Sequence, residues 1–208
     1  RVQVDAEKVL VAIGRDPNSD GIGLEAAGVK TTRGLVDVDG HYQTSVPHVY
    51  AIGDVIGHFR LAHEAMHEGI IAAEAIAGHQ PEPLDYDRVP RCTYSQPQVA
   101  SIGISEQEAR GRGRPVKVGK FPLSANSKAR IEGYPDGFAK VIGNQETGEI
   151  LGVYLIGASV TELIDSPALA KLLESTTLEL GLSVYAHPTL SEILGEAALA
   201  VDGRAIHI

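Results

Sequence analysis

Residues 136–157 read DGFAKVIGNQETGEILGVYLIG, and this stretch decides the architecture of the second half of the chain. Two apolar runs flank a polar centre that contains Gly148. Apolar runs rich in valine and isoleucine, separated by a turn that contains glycine, are typical of two paired β-strands. We therefore predict a strand pair that turns at Gly148.

The segments on either side of this pair predict an α+β domain. Three further stretches have the composition of strands: RCTY (91–94), QVASIGI (98–104) and RPVKVGKFPL (114–123). Ser105 and Glu108 form a capping-box pattern that opens a short helix. Two helices are expected to close the chain, at about residues 161–180 and about residues 189–201.

The first 80 residues predict an α/β arrangement. KVLVAI (8–13) and VYAI (49–52) are short apolar runs, as expected of buried strands, and GLVDVDGHYQT (34–44) carries the hairpin signal Asp39-Gly40. Residues 61–77 keep apolar side chains at helical spacing and stop at Gly78. The following segment, GHQPEPLDYDRVP (78–90), reads as a linker that contains a domain boundary.

Length and charge limit the class of protein. A chain of 208 residues can form one large domain or two small ones, and 43% hydrophobic with 22% charged residues is typical of a globular protein. The net charge of −9, with scattered basic residues, argues against nucleic acid and anionic membranes as partners. The sequence has no apolar run of bilayer length and no signal pattern, so we expect a cytoplasmic protein.

Cys92 is the only cysteine in the sequence. A disulfide within the chain, or a cysteine-pair redox site built from this chain alone, is therefore excluded. The sequence begins RVQVDAEKVLVAIG, without an initiator methionine, in what reads as a strand already under way. We expect it to be a fragment of a longer protein.

For two short motifs, the surrounding sequence argues against the function that the motif usually indicates. GIGLEA (21–26) matches a glycine-rich dinucleotide pattern, but a phosphate site needs that turn directly between a strand and a long helix, and this context is missing. HEAMH (63–67) matches the zinc pattern H-E-x-x-H, with His63 and His67 as ligands and Glu64 as base. No third ligand follows at the longer zincin spacing, so two surface histidines on an amphipathic helix are at least as good an interpretation.

AHPTLSE (186–192) poses the main question about chemistry. Thr189 and Glu192 have capping-box spacing, so His187 could simply precede a helix. Alternatively, Glu192 could orient one ring nitrogen of His187 and leave the other free, which is the arrangement of a general base. The residues alone leave these two interpretations equally supported.

The ordered series of motifs resembles one enzyme family. VLVAIGRDPN, VPHVYAIGDV, LAHEAMHEG, PRCTYSQPQVASIG, FPLSANSKAR, GFAKVI, ILGVYLIG, AHPTLSE and GRAIHI follow one another in this sequence. Their order and spacing are similar to those of the dihydrolipoamide dehydrogenases, a branch of the flavin-dependent pyridine nucleotide-disulfide oxidoreductases. The resemblance covers essentially the whole chain.

The resemblance implies α/β followed by α+β: the C-terminal part of a Rossmann-type FAD/NAD domain pair plus a mixed-sheet dimerisation domain. Residues 1–14 would end the NAD-binding domain, residues 15–87 would be part of the central and FAD-binding region with the linker, and residues 88–208 would form the dimerisation domain. The implied cofactors are FAD and NAD. The implied partners are a second copy in a homodimer and dihydrolipoamide on the acyltransferase subunit of 2-oxo acid dehydrogenase complexes.

The resemblance also assigns residues to the cofactors. Gly14 matches a glycine beside the nicotinamide cofactor, and Asp54 matches an aspartate that hydrogen-bonds the flavin ribityl chain. The helix start whose amides face the flavin pyrimidine edge is matched by Arg60, Leu61, Ala62 and His63. This assignment makes the zinc motif coincidental, and we expect no metal site.

His187 and Glu192 match the base pair of the family, in which the histidine takes a proton from dihydrolipoamide or the active-site thiol. The resemblance implies that His187 acts in trans on the disulfide of the other subunit. It also implies that Pro188 approaches the partner's flavin through its backbone.

Several features depart from the family pattern. The sequence lacks the N-terminal glycine-rich FAD motif, the C-x-x-x-x-C redox pair and the glycine-rich NAD motif, so the chain alone is expected to be inactive. Arg60 stands where an apolar residue is usual. Two alternatives stay open beside the zinc hydrolase: a glutathione-reductase-like disulfide reductase fragment, and a non-catalytic dimerisation module.

Overall fold

The computed structural model describes residues 2–207, which divide into two compact units at the junction of Leu84 and Asp85. Arg1 and Ile208, the outer limits of the predicted domains, lie outside the described residues. No helix in the described part of the chain has the length and apolar character needed to cross a bilayer.

The first unit is built around one long helix. Its elements are α1 (Leu24–Ala27), β1 (Thr31–Thr32), β2 (Leu35–Val36) and α2 (Ala62–Ile76), with a 3₁₀ turn at Gly53–Val55. The predicted helix at 61–77 is confirmed as α2, and Gly78, with a φ of 87°, follows its C-cap residue Ala77. A left-handed residue at that place is a common helix end, and glycine adopts it without strain. A small core cluster forms from Val29, Val36, Tyr42, Ile56 and Ala72.

Two predicted strands of the first unit were wrong. Residues 8–13 form no strand in the structure, and their apolar side chains are exposed, with Leu10 at 90%. A strand is stabilised by ladder hydrogen bonds to a neighbour, and no described segment pairs with this one. Residues 49–52 contribute only an isolated bridge from Tyr50 to Gln43. The Asp39 turn is present, since the Tyr42 amide donates to the Asp39 carbonyl at 3.1 Å.

The second unit contains an antiparallel five-stranded sheet. The strands are β3 (Arg91–Thr93), β4 (Gln98–Gly103), β5 (Val116–Pro122), β6 (Phe138–Asn144) and β7 (Ile150–Gly157), in the spatial order β3-β4-β7-β6-β5. The predicted pair β6 and β7 lies inside the sheet and is confirmed, with Gly148 in its turn at a φ of 76°. A positive φ of this size is the reason that a glycine stands there.

The sheet is covered on both faces. Successive residues of a strand point to opposite sides, and accordingly Val141 belongs to one core cluster and Ile142 to another. The larger cluster includes Ile102, Phe121, Leu123, Leu155, Ile193 and Leu194, and the smaller one includes Ile104, Ala109 and Leu151. The capping box of Ser105 and Glu108 opens α3 (Glu106–Gly111), as predicted, and α4 (Ser127–Glu132) follows β5.

The helix predicted at 161–180 is three short helices. They are α5 (Val160–Leu163), α6 (Asp165–Leu172) and α7 (Thr177–Leu182). Glu174 interrupts them with a φ of 55°, and the Thr176 side chain caps the start of α7 by accepting the Leu178 amide at 3.1 Å. A local capping bond of this kind competes with helix continuation. The last helix, α8 (Glu192–Ala200), begins three residues after the predicted position.

Helix α8 packs directly on strand β5. Gly119 is buried in this strand, and a Cβ built on it would collide with the Ala197 carbonyl and the Val201 amide of α8. The backbones of helix and strand therefore touch, and only glycine leaves room for the contact.

We predict that Gly119→Ala destabilises the chain by about 1–3 kcal/mol, because the added methyl forces α8 away from the sheet. Urea unfolding followed by circular dichroism measures the change. The control is Gly111→Ala at the end of α3, where a Cβ meets nothing within 4 Å and a small gain in stability is expected. Equal stability of the two variants would contradict the proposed packing.

Candidate functional site

His187 and Glu192 meet at the start of α8. Nδ1 of His187 lies 2.9 Å from Oε1 of Glu192, and Oε2 of Glu192 accepts the Thr189 amide at 2.9 Å. A carboxylate only accepts hydrogen bonds, so Nδ1 must carry the hydrogen when Glu192 is ionised. Nε2 is then left with a lone pair that can accept a proton.

Glu192 is held in its charged form. Partial burial raises the pKa of its carboxyl, whereas the Thr189 amide, the His187 ring and the charge of His207 lower it. The lowering effects prevail, so the pKa of Glu192 lies below its usual range. The side chain of Glu192 is 24% exposed and that of His187 is 68% exposed. An exposed imidazole is therefore oriented by its hydrogen bond to a partly buried carboxylate.

The predicted capping box at Thr189 forms only in part. Glu192 does accept the Thr189 amide, but the Thr189 hydroxyl donates to the Ala186 carbonyl at 2.7 Å, and Ser191 occupies the N-cap position. The hydroxyl binds back to the turn that contains His187 and Pro188, and this explains why the helix begins later than predicted. Glu192 therefore both binds the turn before the helix and orients His187.

The predicted flavin residues gather around the start of α2. Asp54 lies in the 3₁₀ turn, where its carboxylate pairs with the Arg15 guanidinium at 2.9 Å and stays half exposed. Leu61 is the N-cap of α2, and Ala62 and His63 begin the first turn. Arg60 has a φ of 60°, and its guanidinium donates to the Arg15 carbonyl.

These residues fit a ligand such as FAD, because they offer both amide donors and a carboxylate acceptor. First-turn amides of a helix lack acceptors within the helix, and the positive end of the helix dipole favours a polar or anionic edge. The half-exposed carboxylate of Asp54 suits a hydroxyl donor such as the ribityl chain.

Two buried glutamates shape this region, and neither was predicted to do so. Glu64 accepts the amides of Phe59 at 3.1 Å and Leu61 at 3.0 Å, and Glu68 accepts the Gly53 amide at 2.6 Å. Both side chains are almost fully buried. Their four-residue spacing on α2 is the only signal that sequence reasoning could have used.

The same contacts explain the HEAMH motif. Glu64 is used to cap α2, so its carboxylate is not placed as a general base. The His67 ring bonds to the His63 carbonyl at 2.9 Å. Within residues 2–207, no three His, Cys, Asp or Glu side chains are grouped so that they could hold a metal ion.

Gly14 lies outside the helices and strands of the first unit, and so do Gly21 and Gly23 of GIGLEA. Gly14 has a φ of 148°, which favours glycine, but a Cβ there would meet nothing within 4 Å. GIGLEA forms a loop and the single turn of α1, without the long helix that a phosphate site requires. Pro188 lies beside the site in the second unit, joined to His187 by a cis peptide bond.

A small cavity of about 60 Å³ adjoins His187. It is lined by Phe121, Ala125, Asn126, Ser127, His187, Glu192, Glu196 and His207. Glu196 and His207 were not predicted as site residues. A larger cavity of about 500 Å³ in the same unit is lined largely by charged side chains such as Arg114 and Glu149, which pair with each other, and it contains none of the predicted site residues.

Two family profiles match the sequence. The dimerisation domain of the pyridine nucleotide-disulphide oxidoreductases matches residues 89–198, which is more than half of the chain. The pyridine nucleotide-disulphide oxidoreductase profile matches residues 1–69.

Individual relatives agree with these profiles. The chain is 52% identical to a dihydrolipoyl dehydrogenase of Bacillus subtilis over 206 residues, a match that covers 99% of this chain and 44% of the relative. It is 48% identical to the dihydrolipoyl dehydrogenase of Zymomonas mobilis, covering 95% and 43%. The chain thus spans less than half the length of these relatives.

Solved structures are similar as well. LpdA from Mycobacterium tuberculosis matches 89% of this chain and 41% of its own with a TM-score of 0.83 and 28% identity. The HOCl-induced flavoprotein disulfide reductase RclA from Escherichia coli matches 90% of this chain and 43% of its own with a TM-score of 0.81 and 26% identity. The chain therefore belongs to the pyridine nucleotide-disulphide oxidoreductases, and its second unit contains the dimerisation domain of that family.

Proposed function

We propose that this chain is the C-terminal portion of a dihydrolipoyl dehydrogenase, an NAD-dependent flavoprotein that reoxidises dihydrolipoamide, with His187 as its base. The observation that carries the proposal is the 2.9 Å contact between His187 Nδ1 and Glu192 Oε1, which leaves Nε2 free to accept a proton. The dihydrolipoyl dehydrogenases among the relatives support the choice of substrate.

As the base, His187 would carry out one chemical step. Nε2 would take the proton from one thiol of dihydrolipoamide, and the resulting thiolate would attack the redox disulfide of the enzyme, so that a mixed disulfide forms while the enzyme S–S bond breaks and one enzyme sulfur leaves as a thiolate. The second thiol of dihydrolipoamide would then displace the other enzyme sulfur, which closes the lipoamide disulfide and leaves the enzyme pair reduced. The positive charge that His187 gains is balanced by the Glu192 carboxylate. A flavin held by Asp54 and the helix start at residues 60–63 would supply the electron transfer from the reduced disulfide to NAD.

The chain's other proposed roles concern the cofactors. Asp54 would accept a hydrogen bond from the flavin ribityl chain, and the helix start formed by residues 60–63 would face the flavin pyrimidine edge. Gly14 would lie beside the nicotinamide cofactor. In domain terms, residues 1–14 would end the NAD-binding domain, residues 15–87 would belong to the FAD-binding region with the linker, and residues 88–208 would form the interface.

We propose a homodimer in which His187 serves the disulfide of the partner subunit and the backbone of Pro188 approaches the partner's flavin. Two apolar side chains just before the site support a covered face: Leu182 is 60% exposed and Val184 is fully exposed. The second proposed partner is dihydrolipoamide carried by the acyltransferase subunit of a 2-oxo acid dehydrogenase complex. This role would place the enzyme in the cytoplasm.

A chimera tests the base. Residues 2–207 replace the matching segment of the Bacillus subtilis relative, and turnover of dihydrolipoamide with NAD is measured together with flavin content. We expect an active chimera, and we expect His187→Gln to lower kcat by about two to four orders of magnitude with flavin content unchanged, because general-base assistance is lost.

The control for this experiment is His79→Gln, which removes an exposed imidazole from the linker and should leave turnover unchanged. The 208-residue chain alone should show no turnover, since it has a single cysteine. Near-normal turnover of the His187→Gln chimera would contradict the proposal.

The low pKa of Glu192 predicts a pH-dependent contribution to stability. A carboxyl whose pKa is depressed by folding stabilises the protein above its unfolded value, about 4.3 for glutamate, and this stabilisation is lost as the pH falls through the lower folded value. The free energy of unfolding should therefore be lower for Glu192→Gln than for wild type at about pH 5, and this difference should shrink toward about pH 3.

Urea unfolding across this pH range measures the difference. The control for loss of one carboxylate is Glu74→Gln at an exposed position of α2. A difference between wild type and Glu192→Gln that stays constant down to about pH 3 would show that the Glu192 carboxylate does not form the described hydrogen bonds in the folded state.

A further inference from the structure

A second imidazole–carboxylate pair lies one helical turn from the first. Nδ1 of His207 is 2.7 Å from Oε1 of Glu196, while Oε2 of Glu196 accepts the amides of Ile206 at 2.8 Å and His207 at 3.2 Å. The Glu196 side chain is only 10% exposed. The C-terminal segment is thereby fixed to α8 by three hydrogen bonds to one carboxylate.

The two pairs share one construction and one cavity. Glu192 and Glu196 are four residues apart, so they project from the same face of α8. Each uses one oxygen for an imidazole Nδ1 and the other for backbone amides next to that imidazole. Both histidines and both glutamates line the cavity of about 60 Å³.

His187 borders a cavity that is also lined by the carboxylates of Glu192 and Glu196, so either carboxylate is a candidate partner for its ring. Burial raises the pKa of Glu196, but the ring of His207 and the amides of Ile206 and His207 outweigh burial and lower it, so Glu196 is also ionised at neutral pH. Without His207, Oε1 of Glu196 would be an acceptor with no donor in a nearly buried position. A buried charged acceptor without a partner is strongly unfavourable, and the ring of His187 is one of the donors that line the same cavity.

We propose that His207 is a positioning residue for His187: by binding Glu196, it prevents this second carboxylate from competing with Glu192 for the His187 ring. The inference rests on the proposed role of His187 as the base, since it explains how that base keeps one orientation. His207 itself acts through Glu196, not on the substrate.

Nitrogen NMR of the histidine rings tests the proposal in the 208-residue chain. With ¹⁵N-labelled histidine at neutral pH, a ring held by Glu192 shows one tautomer, with hydrogen on Nδ1 and a lone pair on Nε2. His187→Gln assigns the His187 signals. The test variants are His207→Ala, His207→Asn, and His207→Ala combined with Glu196→Gln.

The proposal predicts a specific pattern. His207→Ala should shift the two His187 nitrogen resonances toward each other and broaden the Nδ1–H signal, because Glu196 then competes for the ring. His207→Asn should keep the wild-type His187 spectrum, because its side-chain amide can donate to Glu196. The double variant should also restore that spectrum, because the competing carboxylate is gone.

Three results would overturn the proposal. They are an unchanged His187 spectrum in His207→Ala, a disturbed spectrum in His207→Asn, and a double variant as disturbed as His207→Ala; the last would indicate that the segment only supports the fold. The experiment needs no turnover, so its failure is separate from failure of the chimera. Near-normal turnover of the His187→Gln chimera together with the expected spectra would refute the base, not the pairing.

Discussion

The backbone contact between Gly119 and α8 is the constraint on which the site depends. Any side chain at this position of β5 would collide with the Ala197 carbonyl and the Val201 amide, so glycine sets how closely the helix lies on the sheet. The same helix supplies Glu192 and Glu196. Because the two glutamates hold His187 and His207 through hydrogen bonds, the placement of α8 fixes both imidazoles. Helix α8 thus connects its packing on β5 with the geometry of the site.

The parts of the fold that the sequence predicted are those whose stabilising contacts are local or strongly patterned. A clear hydrophobic pattern in the sequence, with a glycine at the turn or after the last residues, marks both the β6–β7 pair and helix α2. The strand predicted at residues 8–13 does not form. An apolar run shows only that a segment could be buried, whereas a strand also needs a neighbouring strand. The single helix predicted at residues 161–180 is interrupted, because the Thr176 side chain caps a new helix start at α7.

The candidate site was predictable to a similar degree. His187 and Glu192 are five residues apart, so their contact could be proposed from spacing, and the structure brings them together. His207 and Glu196 are eleven residues apart across the end of a helix, and no local pattern predicts that contact. The buried glutamates Glu64 and Glu68 were missed for a related reason, since charged residues on an amphipathic helix are usually exposed.

The most direct measurement for the account as a whole is a crystal structure of the active chimera, in which the position of His187 Nε2 is compared with the redox disulfide. The account predicts that Nε2 of one subunit lies within hydrogen-bond reach of the partner subunit's disulfide, directly or through one water, with Glu192 still bound to Nδ1. A structure in which His187 faces solvent, or is separated from Glu192 and from both disulfides, would contradict it.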